Sequence, residues 1–307
     1  MAESSNRWQF WIDRGGTFTD IVARTPEGAL VSRKLLSENP ERYQDAALQG
    51  IREILGVKDE TLPGEIIEAV KMGTTVGTNA LLERHGEPAA LIITRGFKDC
   101  LRIGYQNRPD IFALNIRLPE QLYRSVSEID ERVSAQGEIL VPLDKQRARQ
   151  QLQAVYDAGF RSIAIVLMHA WRYPAHEEIL RDLADEIGFP QISVSHQVSP
   201  LMKIVGRGDT TVVDAYLSPL LRRYVKQVAS GINGSHHAAR LLFMQSNGGL
   251  TDASSFQGKD SILSGPAGGI VGAVAVSAKA GLGVCRTYQH LNLISCKIVM
   301  SSIILPP

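Results

Sequence analysis

IDRGGTFTD, residues 12–20, decides the fold, because it lies between two segments that both have the pattern of β-strands. Ahead of it, the segment 8–12 alternates apolar and polar residues, and behind it residues 18–23 continue in an extended, β-branched pattern. The pair Gly15 and Gly16 is therefore predicted at the tip of a β-hairpin. A Walker loop or a dinucleotide-binding motif would instead place its glycines at the start of a helix.

A hairpin tip of this composition is suited to binding phosphate. Gly15 and Gly16 let backbone N–H groups approach an anion closely, and Thr17 and Thr19 can add hydroxyl donors. Asp13, at the end of the first strand, suits a contact through water to Mg²⁺ that bridges nucleotide phosphates. The alternative is a glycine turn that joins two strands and has a surface acidic residue at each end.

Composition indicates an ordinary soluble globular protein of 307 residues, long enough for about two domains. The net charge of +1 gives no electrostatic reason to expect nucleic acid or an anionic membrane as partner. Residues 1–7 lack the apolar core of a secretory signal and are predicted to be disordered, and no stretch approaches the ~18 apolar residues of a membrane span. Cys100, Cys285 and Cys296 are far apart, which predicts neither a disulfide framework nor a zinc site. We expect a cytoplasmic, reduced protein.

The order of elements predicts an α/β fold. Three strands in a meander, followed by alternating helices and strands, are by analogy the half-domain of the actin-like (ribonuclease-H-like) ATPases. Residues 106–143 are rich in proline and charge and predict an inserted, loop-rich segment. A long helix is predicted over 209–230, with a kink or break at Pro219.

The second notable stretch is MGTTVGTNALLER, residues 72–84, where a predicted strand ends and a helix begins. Thr75 is predicted to cap that helix, which leaves Thr74, Thr78 and Asn79 to bind a small polar ligand. Spacing alone favours a capped helix with a polar first turn, so that alternative stays open.

Two further patterns have the same ambiguity. Arg95 follows a buried strand, where open α/β sheets place ligands, and it can hold a carboxylate through both guanidinium nitrogens; a solvated arginine is the alternative. Gly265, Gly268 and Gly269 lie at a helix start and indicate a second anion site or a hinge, or an ordinary first turn with proline. The histidines, among them His176, lack metal-ligand spacing and are interpreted as surface or hydrogen-bonded core residues.

Taken together, these stretches resemble the hydantoinase/oxoprolinase family, from about Trp8 to Gly283. Arg14 and the segments 34–38 and 108–112 are similar to the eukaryotic 5-oxoprolinase branch. The motifs that carry the family resemblance are IDRGGTFTD (12–20), MGTTVGTNALLER (72–84), TRGFKD (94–99), VLMH (166–169), DAYLSP (214–219) and LSGPAGG (263–269).

The resemblance implies ATP-dependent opening of a lactam, 5-oxo-L-proline to L-glutamate, in glutathione turnover. It implies ATP and Mg²⁺ as cofactors, with Asp13 orienting the metal and the hairpin residues Gly15, Gly16, Thr17 and Thr19 holding the phosphates. On the substrate side it implies Thr74, Thr75, Asn79 and Arg95. N-methylhydantoin hydrolases, carboxylases that act on ketones, an actin-like small-molecule kinase and a non-catalytic fragment remain alternatives.

The resemblance ends after Gly283. It divides the chain into an N-terminal domain over 8–207, the start of a second half-domain over 208–283, and a tail over 284–307 that is unlike the family. Family members continue into a second phosphate hairpin at that point. We therefore expect a truncated chain that turns over little ATP by itself and forms a homo-oligomer or pairs with a full-length subunit; a divergent C-terminal strand is the alternative.

Overall fold

The computed structural model describes residues 6–57, 62–106, 111–116, 118–233, 239–282, 289–291 and 294–296. Parts of three expectations fall on residues outside that set: the disorder of residues 1–5, the motif at 108–110, and most of the tail 284–307. In the part of the chain that is described, no helix combines the length and the apolarity needed to cross a membrane.

Strands and helices alternate along the chain. The strands are β1 Trp8–Arg14, β2 Phe18–Arg24, β3 Leu30–Leu36, β4 Leu62–Pro63, β5 Ile67–Thr74, β6 Ala89–Thr94, β7 Tyr123–Ile129, β8 Arg132–Val133, β9 Ile139–Val141, β10 Ser162–Val166, β11 Gln191–Val194, β12 Ile232–Asn233, β13 Arg240–Met244, β14 Leu250–Asp252, β15 Gln289–Leu291 and β16 Ile294–Cys296. The helices are α1 Ala46–Leu55, α2 Val76–Leu82, α3 Cys100–Ile103, α4 Lys145–Asp157, α5 Ala175–Ile187, α6 Ser195–Val198, α7 Ile204–Gly231 and α8 Ser264–Lys279.

The chain forms two compact units, each with its own sheet. Unit 1 comprises Met1–Asn79, Tyr224–Phe256 and Asp260–Pro307, and unit 2 comprises Ala80–Arg223 and Gln257–Lys259. The predicted boundary between residues 207 and 208 lies inside helix α7, so the domains 8–207 and 208–283 stay a prediction about regions of the sequence.

Unit 1 is built on a six-stranded sheet in the order β14-β13-β5-β1-β2-β3. Strands β1, β2 and β3 form the predicted antiparallel meander, and β5 and β13 extend the sheet in parallel with β1. This arrangement confirms the predicted α/β class. Strands β13 and β14 belong to the segment expected to open a second half-domain, and the structure shows that they complete this first sheet.

Side-chain alternation explains why the meander forms. In β1, Phe10 and Ile12 are buried while Trp11 and Asp13 are exposed, as a sheet with one face on the core requires. Helix α1 packs on this sheet. It begins at residue 46, because the side chain of Asp45 accepts a hydrogen bond from the N–H of Leu48 and so caps the helix there.

Unit 2 contains a parallel sheet in the order β11-β10-β6-β7 with helices on both faces. Alternate residues of β6 face opposite sides: Ile92 packs in the cluster of α4 and α5, and Leu91 packs in the cluster of α7. Since both faces are covered, every residue of β6 is buried, which is why this strand has a continuous apolar sequence.

The prediction of a loop-rich segment over 106–143 is wrong for residues 123–129. These residues form β7, which pairs in parallel with β6 from Ala89↔Tyr123 to Thr94↔Ile129. The strand lies at an edge of the sheet and has polar residues at four of its seven positions, so it lacks the apolar run that marks a central strand. Pairing with β6 therefore makes this segment a strand, although its own sequence does not indicate one.

Helix α7 continues through Pro219, so the chain does not break there, while the kink that was predicted as the other possibility stays a prediction. Proline removes the N–H that would bond to the carbonyl of Ala215, and its ring disturbs the preceding turn. Other groups satisfy the freed carbonyls: the hydroxyl of Ser162 donates to the oxygen of Ala215 at 2.6 Å, and the N–H of Glu87 donates to the oxygen of Tyr216 at 2.9 Å. The helix therefore tolerates proline because its neighbours supply donors.

A Ser162→Ala change should lower the free energy of unfolding by about 1–3 kcal/mol, because it leaves the buried carbonyl of Ala215 without a donor. In a Pro219→Ala background the loss should be smaller, since the helix again supplies its own N–H. Urea unfolding of the four variants of this cycle checks the prediction. Equal losses in both backgrounds would contradict it.

Candidate functional site

The hairpin tip, residues 15–17, presents free backbone amides. The N–H of Gly15 donates to the oxygen of Phe18 at 3.0 Å and closes the turn. A Cβ on Gly15 would lie 2.9 Å from that oxygen, so the closed turn requires glycine here. Gly16 and Thr17 are exposed, and within the described residues their N–H groups have no protein acceptor. Such unpaired, exposed amides can bind an anion.

Asp13 lies on the exposed face of the sheet, two residues before the tip. It is opposite Asp20 on β2 and Gly73 on β5. Partial burial of the carboxyl raises the pKa of Asp13, the charge of Asp20 raises it further, and Lys34 lowers it. Lys34 bonds to both oxygens of Asp20 at 2.7 and 2.9 Å. Asp13 is thus the carboxylate of this pair that no lysine or arginine neutralises in the described structure, and a cation would stabilise its charged form.

Thr19 does not face the same side as the free amides. The residue is completely buried, and its hydroxyl lies 3.0 Å from the hydroxyl of Ser37. Along β2, the side chain of Thr19 lies on the same buried face as those of Ile21 and Ala23. The buried position of Thr19 therefore contradicts its predicted role as a hydrogen-bond donor to phosphate. The alternation of inward and outward residues along the strand already indicated that Thr19 faces the core.

The turn between β5 and α2 uses its hydroxyls differently from the prediction. Thr74 is completely buried and its hydroxyl accepts a hydrogen bond from the N–H of Val76 at 3.2 Å. Thr75 was expected to cap the helix, but its hydroxyl donates to the carbonyl of Arg14 at 3.2 Å, as does its N–H at 3.0 Å. Thr74 is therefore not free to bind a ligand, and Thr75 fixes the turn to the end of β1.

Asn79 is the residue of this stretch that reaches the hairpin tip. A Cβ on Gly16 would lie 3.3 Å from its Nδ2, which places the amide group directly beside the tip. Within the described residues, the Asn79 side chain makes no hydrogen bond. The hydroxyl of Thr78, in contrast, donates to the carbonyl of Ile262 at 2.6 Å. Asn79 is therefore a free donor next to the tip, as its predicted binding role requires.

The start of α8 belongs to the same unit. A Cβ on Gly265 would lie 3.8 Å from Cγ2 of Thr75, and the hydroxyl of Ser264 donates to the carbonyl of Thr74 at 2.9 Å. Gly268 packs near Met244 on β13, and Gly269 is exposed. Of the three glycines predicted as an anion site or hinge, Gly265 lies against the β5–α2 turn.

Arg95 belongs to unit 2, whereas the residues just described belong to unit 1. Its Nε is 2.5 Å from Oδ1 of Asp130, and its carbonyl accepts a hydrogen bond from Arg132 at 3.1 Å. It borders an open cavity of about 610 Å³ that Lys98 and Glu128 also line. Arg95 is thus paired with a carboxylate of its own unit, and its predicted role toward a substrate carboxylate stays a prediction.

The donor set of the hairpin fits a phosphate group. The tip is too tight for a residue larger than glycine at position 15. Around it lie the free backbone amides, the exposed hydroxyl of Thr17 and the side-chain amide of Asn79. No group of three or more His, Cys, Asp or Glu residues that could hold a metal occurs in the described part of the chain. Asp13 fits a contact through water to a phosphate-bound Mg²⁺.

Sequence comparisons decide the family. The family described as "Hydantoinase/oxoprolinase N-terminal region" matches residues 9–188, and "Hydantoinase/oxoprolinase" matches residues 207–285. The chain belongs to the hydantoinase/oxoprolinase family. Among members of the family, the 5-oxoprolinase of Dictyostelium discoideum is 43% identical over 296 residues, which cover 86% of this chain and 23% of that protein. The chain thus spans about a quarter of the length of the curated relatives it matches.

Two solved structures share the fold. The ATP-dependent caprolactamase of Pseudomonas jessenii is 26% identical, with a TM-score of 0.72 over 91% of this chain and 41% of that one. A nucleotide-free acetone carboxylase is 22% identical, with a TM-score of 0.74 over 91% of this chain and 42% of that one. The fold predicted from the hydantoinase/oxoprolinase family is therefore confirmed.

Sequence reasoning did not identify a buried polar cluster at the carboxyl end of the unit 2 sheet. The carboxylate of Glu177 accepts from the N–H of Leu167 at 2.8 Å, from Ser195 at 2.6 Å, and from both the N–H and Nδ1 of His196. The guanidinium of Arg207 is completely buried and donates to the hydroxyl of Ser195 at 2.9 Å. These bonds join the ends of β10 and β11 to helices α5 and α7.

A second buried histidine lies in the same region. Nδ1 of His176 is 2.8 Å from Glu131, whose other oxygen accepts from Thr94 at the end of β6. The interpretation of His176 as a hydrogen-bonded core residue is confirmed. Every oxygen of the Glu131 and Glu177 carboxylates accepts a hydrogen bond. We therefore interpret this region as a structural brace that holds the strand ends in place.

Proposed function

We propose that this chain provides the phosphate-binding part of an ATP-dependent hydrolase that opens 5-oxo-L-proline to L-glutamate. The observation that carries the proposal is the tight hairpin tip, whose free amides lie beside Asn79 and follow Asp13 closely along the chain. The name and 43% identity of the Dictyostelium relative support the substrate, and the likeness to an ATP-dependent caprolactamase supports lactam chemistry.

The chemistry requires a phosphate site because a lactam carbonyl is a poor electrophile. Transfer of the γ-phosphoryl group from ATP to the amide oxygen would release ADP and activate the carbon for attack by water, after which the ring C–N bond would break and phosphate would leave. The amides of Gly16 and Thr17 would hold the phosphate chain, and Asn79 would donate to the phosphoryl group. Asp13 would hold Mg²⁺ through water, and the ion would supply charge neutralisation. Thr75 keeps the turn that carries Asn79 against β1.

Several details of the proposed function rest on the family resemblance. They are Mg²⁺ as the metal, a role in glutathione turnover, a cytoplasmic setting, and a small-molecule lactam as substrate, with no nucleic acid and no membrane. We further propose that full turnover occurs in a homo-oligomer or with a full-length subunit.

An Asp13→Ala change should abolish Mg-ATP binding, because it removes the partly buried carboxylate that is proposed to hold the metal. Titration calorimetry of the 307-residue chain with Mg-ATP, before and after the change, checks this. Asp185→Ala is the matched control, since Asp185 is an exposed aspartate on α5 in unit 2. It should leave binding unchanged.

The outcome also decides among functions. Binding that depends on Asp13, followed by glutamate release from 5-oxo-L-proline in the presence of a full-length relative, supports the hydrolase. Phosphorylated sugar as the product would indicate the actin-like kinase instead. If the folded wild-type chain binds no Mg-ATP, the phosphate role of the hairpin is refuted for this chain.

A further inference from the structure

Ser37, the residue after β3, contacts the hairpin tip from the core side. The residue is buried, and its hydroxyl donates to the carbonyl of Gly15 at 2.7 Å. Its backbone N–H donates to the carbonyl of Thr17 at 2.8 Å. One residue therefore holds two of the carbonyl groups of the tip, although it lies 22 positions away from Gly15 along the chain.

These two bonds fix the direction of the neighbouring amides. In a planar trans peptide, the C=O and the following N–H point in opposite directions. The carbonyl of Gly15 points to the buried hydroxyl, so the N–H of Gly16 points away from the core. The carbonyl of Thr17 points to the N–H of Ser37 beyond β3, so the N–H of Phe18 points to the opposite side of β2, which is the side of β1.

Thr19 completes the arrangement. Its hydroxyl lies 3.0 Å from that of Ser37. Since the single proton of the Ser37 hydroxyl is given to Gly15, Thr19 must be the donor in this pair. The result is a chain of hydrogen bonds from Thr19 to Ser37 to Gly15, in which each bond polarises the next.

We propose that Ser37 is a positioning residue for phosphate: its hydroxyl, oriented by Thr19, aims the N–H of Gly16 at the phosphate chain of the nucleotide. The inference rests on the proposed function of the hairpin. Its physical basis is preorganisation, because amides already aimed at the ligand lose little conformational freedom when they bind it. Ser37 would not touch the nucleotide itself.

The structure distinguishes the two amides, which makes the proposal testable. Ser37→Ala removes the bond to the carbonyl of Gly15 but keeps the backbone bond to that of Thr17. The N–H of Gly16 should therefore lose its fixed direction, while the N–H of Phe18 keeps it. A change that merely loosened the fold would affect both.

The experiment is amide NMR on the deuterated 307-residue chain, with Mg-ATP as the probe. In the wild type, Mg-ATP should shift the resonances of Gly16 and Thr17. In Ser37→Ala, the order parameter of Gly16 should fall from about 0.85 toward 0.6, that of Phe18 should stay, and the dissociation constant should rise about tenfold. Thr19→Val should give a smaller change of the same kind.

Ser32→Ala is the control, because Ser32 is an exposed serine on the same strand. It should change neither the order parameters nor the affinity. If Mg-ATP shifts the wild-type resonances and Ser37→Ala binds it equally well with an ordered Gly16, the positioning role is overturned while the proposed function stands. If Thr19→Val also leaves Gly16 unchanged, the hydrogen-bond chain is refuted independently. If Mg-ATP shifts neither resonance in the wild type, both proposals are overturned.

Discussion

Replacing Glu177 by glutamine should lower the free energy of unfolding of unit 2 by about 4 kcal/mol. The side chain is completely buried, and its carboxylate accepts from Leu167, Ser195 and twice from His196. An amide in its place turns an NH₂ group toward donors and leaves the buried guanidinium of Arg207 without a nearby negative charge.

Tryptophan fluorescence can follow this loss within unit 2. With Trp8 and Trp11 of unit 1 replaced by phenylalanine, Trp171 is the remaining tryptophan and reports urea unfolding of its own unit. Glu178→Gln is the matched control, since Glu178 is the next residue on α5 and is exposed. It should change the unfolding free energy by less than about 1 kcal/mol. Similar losses for the two variants would refute the bracing role.

A Gly86→Ala change should cost about 3 kcal/mol by overpacking. A Cβ at this position would lie 2.2 Å from Cε1 and 2.3 Å from Cδ1 of the Tyr216 ring, which is itself buried. The backbone cannot move away, because the N–H of the next residue, Glu87, donates to the carbonyl of Tyr216 at 2.9 Å. The ring and the hydrogen bond thus require glycine at 86.

The same fluorescence measurement tests this change against Gly206→Ala. Gly206 lies on α7, and a Cβ there would lie 3.5 Å from the hydroxyl of Tyr105, an ordinary contact. Alanine is the better helix former, so Gly206→Ala should leave stability unchanged or raise it by up to about 1 kcal/mol. A loss for Gly206→Ala as large as that for Gly86→Ala would contradict the packing argument.

Local pattern was sufficient to predict much of the fold. The alternation in residues 8–24 predicted the hairpin, and the continuous apolar sequence of β6 predicted a strand buried on both faces. Strand β7 was missed because its order comes from pairing with β6, which no local pattern records. The continuity of α7 was missed because the donor for the carbonyl freed by Pro219 is Ser162, on a distant strand.

The candidate site was likewise predicted only in part from the sequence. Gly15, Gly16, Asp13 and Asn79 were identified from residue type and spacing, and the structure places them in one unit. Thr75 was predicted to cap α2 and Thr74 to bind a ligand, whereas Thr74 accepts from the N–H of Val76 and Thr75 donates to the carbonyl of Arg14. The register of β5 against β1 decides which hydroxyl meets that carbonyl. The contribution of Ser37 depends on the pairing of β3 with β2, so residue type alone could not reveal it.

The parallel pairing of β5 with β13 has a consequence for the nascent chain. Nearly all of unit 2, Ala80–Arg223, is synthesised between these two strands. At a synthesis rate of about 5–20 residues per second, one edge of β5 stays unpaired for roughly 8 to 30 s while the chain is on the ribosome. Its exposed backbone donors and acceptors can meanwhile pair with another chain. Newly made protein should therefore depend on chaperones most strongly in the interval before residue 244 emerges.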